Sequence, residues 1–177
     1  MRTVRKSNSR VCESITEALL ELMAEKPYED ITVSELTSRA QVARVSFYRN
    51  FEGKDDVLYR HAKQATEKFI AWIGPDLRLR DPHAFMFALL RHIHDNRDTI
   101  DLLFRSNRMD ILREEFNRAF GVGCEDRRES ARRAFLAGGL YNLVYRWSLS
   151  GYDPTPERLA GFVYELVSQG QLGGDAT

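Results

Sequence analysis

Apolar residues recur at helical offsets almost throughout this chain, and nowhere do they alternate with polar ones over a strand's length. Across residues 8–26, Val11, Ile15, Ala18, Leu19 and Leu22 fall on one helical face, and Pro27 ends the helix. Thr32 followed by Glu35 has the spacing of a capping box, in which the hydroxyl takes the third amide and the carboxylate reaches back. It predicts a short helix from Val33, with Val33, Leu36 and Ala40 facing inward. Gln41, Val42 and Ala43 form a turn, and a second short helix over 44–50 is expected to bury Val45 together with Phe47 or Phe51. After Gly53 a long helix starts near Lys54, its inner side marked by Val57, Leu58, Ala62, Ala65, Phe69 and Ile73.

The segment GPDLRLRDP, residues 74–82, reads as a linker or hinge. Further helices are expected near 83–96, 98–106, 108–120, 127–150 and 155–169, and the tail GGDAT is expected to fray. The pattern predicts an all-α chain of about nine helices: an N-terminal three-helix helix-turn-helix module, a connecting helix and a C-terminal helical bundle. The corresponding boundaries are 1–53 for the arm and module, 54–73 for the connecting helix and 74–177 for the rest.

Composition narrows the class. A hydrophobic content of 43% supplies a sizeable core, while 29% charged residues and the lack of any apolar run near the roughly 20 residues a bilayer needs argue against a membrane protein. The basic start MRTVRKSNSR is not followed by a signal-peptide core, because Glu13 and Glu17 interrupt it, so a cytoplasmic location is expected. Cys12 and Cys124 form no CxxC pair and are expected to be reduced. The formal net charge is zero, but its distribution is uneven: Arg2, Arg5, Lys6 and Arg10 stand in the first ten residues with no acid among them.

The most informative stretch is VSELTSRAQVARVSFYRNF, residues 33–51. From Leu36 to Phe51 it holds Arg39, Arg44 and Arg49 and no Asp or Glu. A short helix that is locally cationic and carries hydrogen-bonding side chains fits a DNA major groove better than an enzyme site.

These residues resemble those of the TetR family of transcriptional regulators. The resemblance rests on the amphipathic first helix, ITVSELTSRA, the turn, VSFYRNF and EGKDDVL, covers about residues 8–62, and includes the spacing Phe47-Tyr48-x-x-Phe51-x-x-Lys54. Two positions depart from the family pattern: Gln41 stands where a turn glycine is common, and Ala43 where a hydroxyl or amide cap is usual. The resemblance implies that the third helix enters the major groove. Arg44 then offers a bidentate fork to guanine, and Tyr48 a phosphate hydrogen bond or a ring against a thymine methyl. Ser46, Arg49 and Asn50 face phosphates or base edges, and Thr32 and Lys54 mark helix N-termini that favour a phosphate. Arg5, Lys6 and Arg10 form a mobile electrostatic arm.

A homodimer on a palindromic operator is implied, built on the last two long helices, with Leu136, Gly139, Leu143, Trp147, Phe162 and Leu166 in the interface. Ala137 and Gly138 add room for close backbone approach. A small apolar or aromatic effector is expected among Phe69, Trp72, Phe85, His92, Phe104, Phe116, Tyr141 and Tyr145, and repression is the implied outcome. No cofactor is implied.

Two other classes were weighed. His92 and His94 are two residues apart, about 200° around a helix, and cannot chelate one ion together. No P-loop, GxSxG or Rossmann glycine pattern supports an enzyme. The competing function is an all-α adaptor or stress-response bundle without DNA affinity.

Overall fold

The computed structural model describes residues 2–168, so the GGDAT tail lies outside the described residues. Among the described residues there are nine α-helices, one 3-10 turn and no strand. Tertiary contacts divide the chain into two compact units that do not follow it linearly. One comprises Met1–Ala65 with Asp101–Glu115, the other Thr66–Ile100 with Phe116–Thr177.

In the first unit, α1 (Arg2–Glu25) packs on α2 (Val33–Arg39) and α3 (Arg44–Asn50). The basic start predicted as a mobile arm is helical from Arg2, and the side chains of Arg5 and Lys6 lie outside the described residues. Ile15, Ala18, Leu19 and Leu22 of α1 are buried, as the periodicity requires. The chain leaves α1 through Pro27 and a 3-10 turn over Tyr28–Asp30.

Thr32 caps α2, its hydroxyl oxygen accepting from the Glu35 amide at 3.1 Å. The Glu35 carboxylate, predicted only to reach back to the cap, pairs chiefly with the Lys26 ammonium. Between α2 and α3, Gln41 takes a left-handed φ of 54°, and the Val42 amide donates to Thr37 O at 3.0 Å. The family glycine missing here is therefore missing where the backbone would favour it.

Helix α3 has only seven residues, too few to persist alone. It is held by Phe47, which is fully buried and meets the buried Phe51 at 5.8 Å. Val45 does not share that burial: it is 63% exposed, which corrects the expectation that it belongs to the core. The reason is angular, since Val45 lies about 160° around the helix from Phe47 at 100° per residue.

Helix α4 spans Lys54–Arg80 with a kink at Gly74, whose φ of 72° is not helical. The predicted 74–82 linker is thus a kink followed by further helix. Helix α5 (Pro82–Asp95) starts next, capped by Asp81 Oδ1 accepting from the Ala84 amide at 2.9 Å.

In the second unit, α5 packs against α9 (Pro156–Ser168), with Leu90 of α5 and Ala160 of α9 fully buried. The long α8 (Arg127–Leu149) begins at Asp126, which accepts from the amides of Arg128 and Glu129. Its buried side is Ala137, Leu140, Val144 and Trp147. Trp147 closes the α8–α9 connection by donating its indole N–H to Pro154 O at 2.7 Å, with Tyr152 edge-on at 5.2 Å. In chain order α6 (Arg97–Arg105) and α7 (Met109–Phe120) come between α5 and α8, and most of each belongs to the first unit.

Removing the Phe47 ring leaves a cavity beneath a helix with no stability of its own. Phe47→Ala is expected to lose about 3–5 kcal/mol in urea denaturation. Arg49→Ala, on the exposed side of the same helix, should stay within about 0.5 kcal/mol.

Candidate nucleic-acid interface

Burial of Phe47 fixes which way α3 faces. At 100° per residue, Arg44, Tyr48, Val45 and Arg49 fall within an arc of about 140°, and all four are exposed. None is acidic. The arc is organised from within: the Arg44 guanidinium donates to Tyr48 Oη at 3.3 Å and lies 5.7 Å from its ring. The Tyr48 ring is 55% exposed and stands edge-on against Phe47 at 5.3 Å. Tyr48 is therefore a brace and an exposed surface at once, and its ring needs no new packing to stay in place.

The other predicted contact residues are placed differently. Ser46 and Asn50 are half-buried, Ser46 just past Arg49 and Asn50 on the side of Phe47, and the Asn50 amide donates to Ser46 O at 2.8 Å. Thr32 is exposed at the start of α2, its hydroxyl already serving as the cap. Lys54 was expected as a phosphate ligand at the start of α4. Instead its ammonium donates to Tyr28 O at 2.7 Å and Ile31 O at 2.6 Å, and lies 4.3 Å from the Tyr28 ring. Partial burial lowers its pKa from the ordinary lysine value. Lys54 is a tie between α4 and the turn before α2 rather than a free cation.

Arg39 is likewise committed. Its guanidinium grips Glu25 with two bonds of 2.8 Å and reaches Glu21 at 3.4 Å, so it holds α2 to α1 and its charge is matched. Of the three arginines in the acid-free stretch, the two on α3 carry the exposed positive charge.

Beside Lys54 is a junction that sequence reading missed. Arg108, from the segment between α6 and α7 that belongs to this same unit, donates to Asp55 Oδ1 at 2.8 Å. Its guanidinium carbon also lies 4.8 Å from the Tyr28 ring. Tyr28 donates its hydroxyl to the same Asp55 oxygen at 2.6 Å. Together with Glu29, Glu52, Gly53, Lys54 and Asp56 these residues line a shallow cleft of about 530 Å³. Both of its cations are engaged, Lys54 by backbone carbonyls and Arg108 by Asp55, which suits a structural junction. A sequence separation of 53 residues hides this pair from any local pattern.

Burial opposes ionisation of Asp55, but the hydrogen bonds from Tyr28 and Arg108 and the nearby positive charges outweigh it and hold its pKa below the usual value. Tyr28 is pushed above the ordinary phenol range, by burial first and by Asp55 second.

In the second unit, several predicted effector-lining residues come together in pairs. The buried Phe69 stacks on the half-buried His92 at 4.6 Å, and burial lowers the His92 pKa. Tyr141 and Tyr145 stack at 6.2 Å, Phe116 is buried and Phe85 is half-buried. Two residues leave the set. Trp72 is 74% exposed, and Phe104 belongs to the other unit and lies on its surface.

The predicted dimer residues also divide. Trp147, predicted for the interface, is instead buried within the chain, its indole N–H bonded to the α8–α9 turn. Ala137 is buried as well, while Leu136, Gly138 and Leu143 are half-buried. Gly139, Phe162 and Leu166 are exposed. Sequence reading missed Phe135 and Leu149, whose side chains are 64% and 49% exposed. With Gly139, Asn142 and Arg146 they fall within an arc of about 80° on α8, opposite its buried side.

Among the described residues no helix is long and apolar enough to cross a membrane. No group of three or more His, Cys, Asp or Glu that could hold a metal ion occurs among them either.

Because the folded-state pKa of Asp55 is depressed, its contribution to stability is present above the unfolded value of about pH 4 and is lost as pH falls through the folded value. Asp55→Asn should therefore flatten the acid limb of the urea midpoint plotted against pH. Arg108→Ala should flatten it similarly.

Residues 15–60 match the family model described as bacterial regulatory proteins, tetR family. No curated protein sequence gives a significant match. Among solved structures, the chain is similar to Lin0861 from Listeria innocua, with a TM-score of 0.76 at 18% identity over 91% of each chain. It is similar to the dihydroxyacetone kinase operon activator DhaS, with a TM-score of 0.63 at 17% identity over 90% of this chain and 95% of that one. The fatty acid degradation regulator FadR from Bacillus halodurans is also similar, with a TM-score of 0.56 at 19% identity over 88% of this chain and 93% of that one. At these identities the structural likenesses speak for the fold. Residues 15–60 thus carry a helix-turn-helix module like that of the tetR family of bacterial regulatory proteins.

Proposed function

We propose that this regulator binds a palindromic operator as a homodimer through α3, and that a small apolar or aromatic effector releases it. The observation that carries the reading is the acid-free arc of Arg44, Val45, Tyr48 and Arg49, held outward by a fully buried Phe47. In this reading Arg44 and Tyr48 read base edges, Arg49 meets a phosphate or a base edge, and Thr32, Ser46 and Asn50 lie on the backbone side. Lys54 shapes the module from behind.

Dimerisation is supported by the exposed apolar side chains of the last two helices. Phe135 and Leu149 on α8 and Phe162 and Leu166 on α9 expose large apolar area that a lone soluble protomer would leave in water. One module spans a few base pairs, and a two-fold pair supplies the second half-site. The effector reading is supported by the aromatic pairs Phe69–His92 and Tyr141–Tyr145, which offer ring surfaces and little charge. Release requires that the effector prefer one arrangement of the two reading heads over the other. Repression is the sign implied by the family resemblance, and a promoter fusion with and without the gene decides it.

A gel-shift against the DNA upstream of its own gene tests the central claim. Binding to an inverted repeat is expected, with affinity falling steeply as salt rises. Weak, site-indifferent binding with a flat salt response would instead favour the adaptor reading. Arg44→Ala should leave the fold intact and cost about 1–3 kcal/mol of discrimination at one base pair per half-site. Unchanged operator selectivity would remove Arg44 as a base reader. Phe162→Glu or Leu166→Glu should sediment as a monomer, and persistence of the dimer would place the interface elsewhere.

A further inference from the structure

We infer that Val45 is a specificity-determining residue, packing its two methyl groups against the C5-methyl of a thymine in each half-site. The inference rests on the proposed major-groove reading of α3 and adds to it a base preference set by an aliphatic side chain.

Val45 is an anomaly in its own module. A β-branched residue is a poor helix former, and one that is 63% exposed buries little in return. On the wheel of α3 it lies between Tyr48 and Arg49, about 60° from one and 40° from the other. It is therefore near the middle of the exposed arc, with Arg44 beyond Tyr48 on one side. Whatever polyanion draws Arg44 and Arg49 toward it must also meet Val45.

The floor of the major groove offers mainly hydrogen-bond donors and acceptors: N7 and O6 of guanine, N7 and the amino group of adenine, the amino group of cytosine and O4 of thymine. An isopropyl group set against any of these would strip water from a polar atom and return nothing. The C5-methyl of thymine is the apolar feature of that surface. Stiffness helps as well, because a helical valine holds one χ1 rotamer and loses little freedom on contact.

The test begins with an operator selected by the wild-type protein from a randomised duplex pool. Each thymine is then replaced in turn by deoxyuridine, which pairs identically but lacks the methyl. For the wild type, replacement at one symmetry-related position should weaken binding about fourfold per methyl, so about 15-fold when both half-sites are changed. Val45→Ala, which keeps the helix, should bind the two duplexes equally at that position. Tyr48→Ala should retain the penalty there, which separates the valine from its aromatic neighbour.

The inference is overturned if no deoxyuridine substitution weakens binding, or if every such penalty survives Val45→Ala. In either case an Arg44-dependent operator would leave the groove reading standing. If the selection yields no operator at all, the groove reading falls and this inference falls with it.

Discussion

A seven-residue helix cannot hold itself together in water, and the surface of this protein that matters most is such a helix. Everything about that surface depends on Phe47. Its ring enters the space beside α1 and α2, meets Phe51 and gives Tyr48 an edge to lean on. One buried aromatic thereby fixes the rotation of α3, and rotation decides that Arg44, Val45, Tyr48 and Arg49 share the open side. A turn of the helix by one residue would carry Val45 toward the flank and bring polar Ser46 into the arc.

Charge in the first unit is arranged to the same end. Acids are numerous, yet many are answered locally: Glu21 and Glu25 by Arg39, Glu35 by Lys26, Asp55 by Arg108 and Asp56 by Arg60. Such exposed pairs contribute little to stability, because water screens them and ordering two long side chains costs entropy. Their effect is on the field, because they take acidic charge out of play around a helix that has none. A net charge of zero is then compatible with a locally cationic surface on α3.

The last two helices show a second division of labour. On α8 the buried side carries Trp147 and its tie to Pro154, while the opposite arc carries Phe135, Gly139 and Leu149. Trp147 organises the α8–α9 connection, while the aromatic and aliphatic residues of the other arc stay exposed.

Much of this was legible from residue order alone. Helix positions followed from apolar spacing, the start of α2 from Thr32 and Glu35, the stop of α1 from Pro27, and the family likeness of residues 15–60 from the run through Phe47, Tyr48, Phe51 and Lys54. These are local signals, governed by backbone geometry and by neighbours within a turn or two. What they left open was facing. Val45 and Trp147 are both apolar and both fit a helical stripe, yet one lies in solvent and the other in the core. Lys54 reads as a phosphate ligand, and Arg108 carries no signal at all, until the fold brings Tyr28 and its neighbours beside them. Periodicity states which residues share a face, whereas only packing between segments distant in the chain decides which face is covered and which charge is already matched.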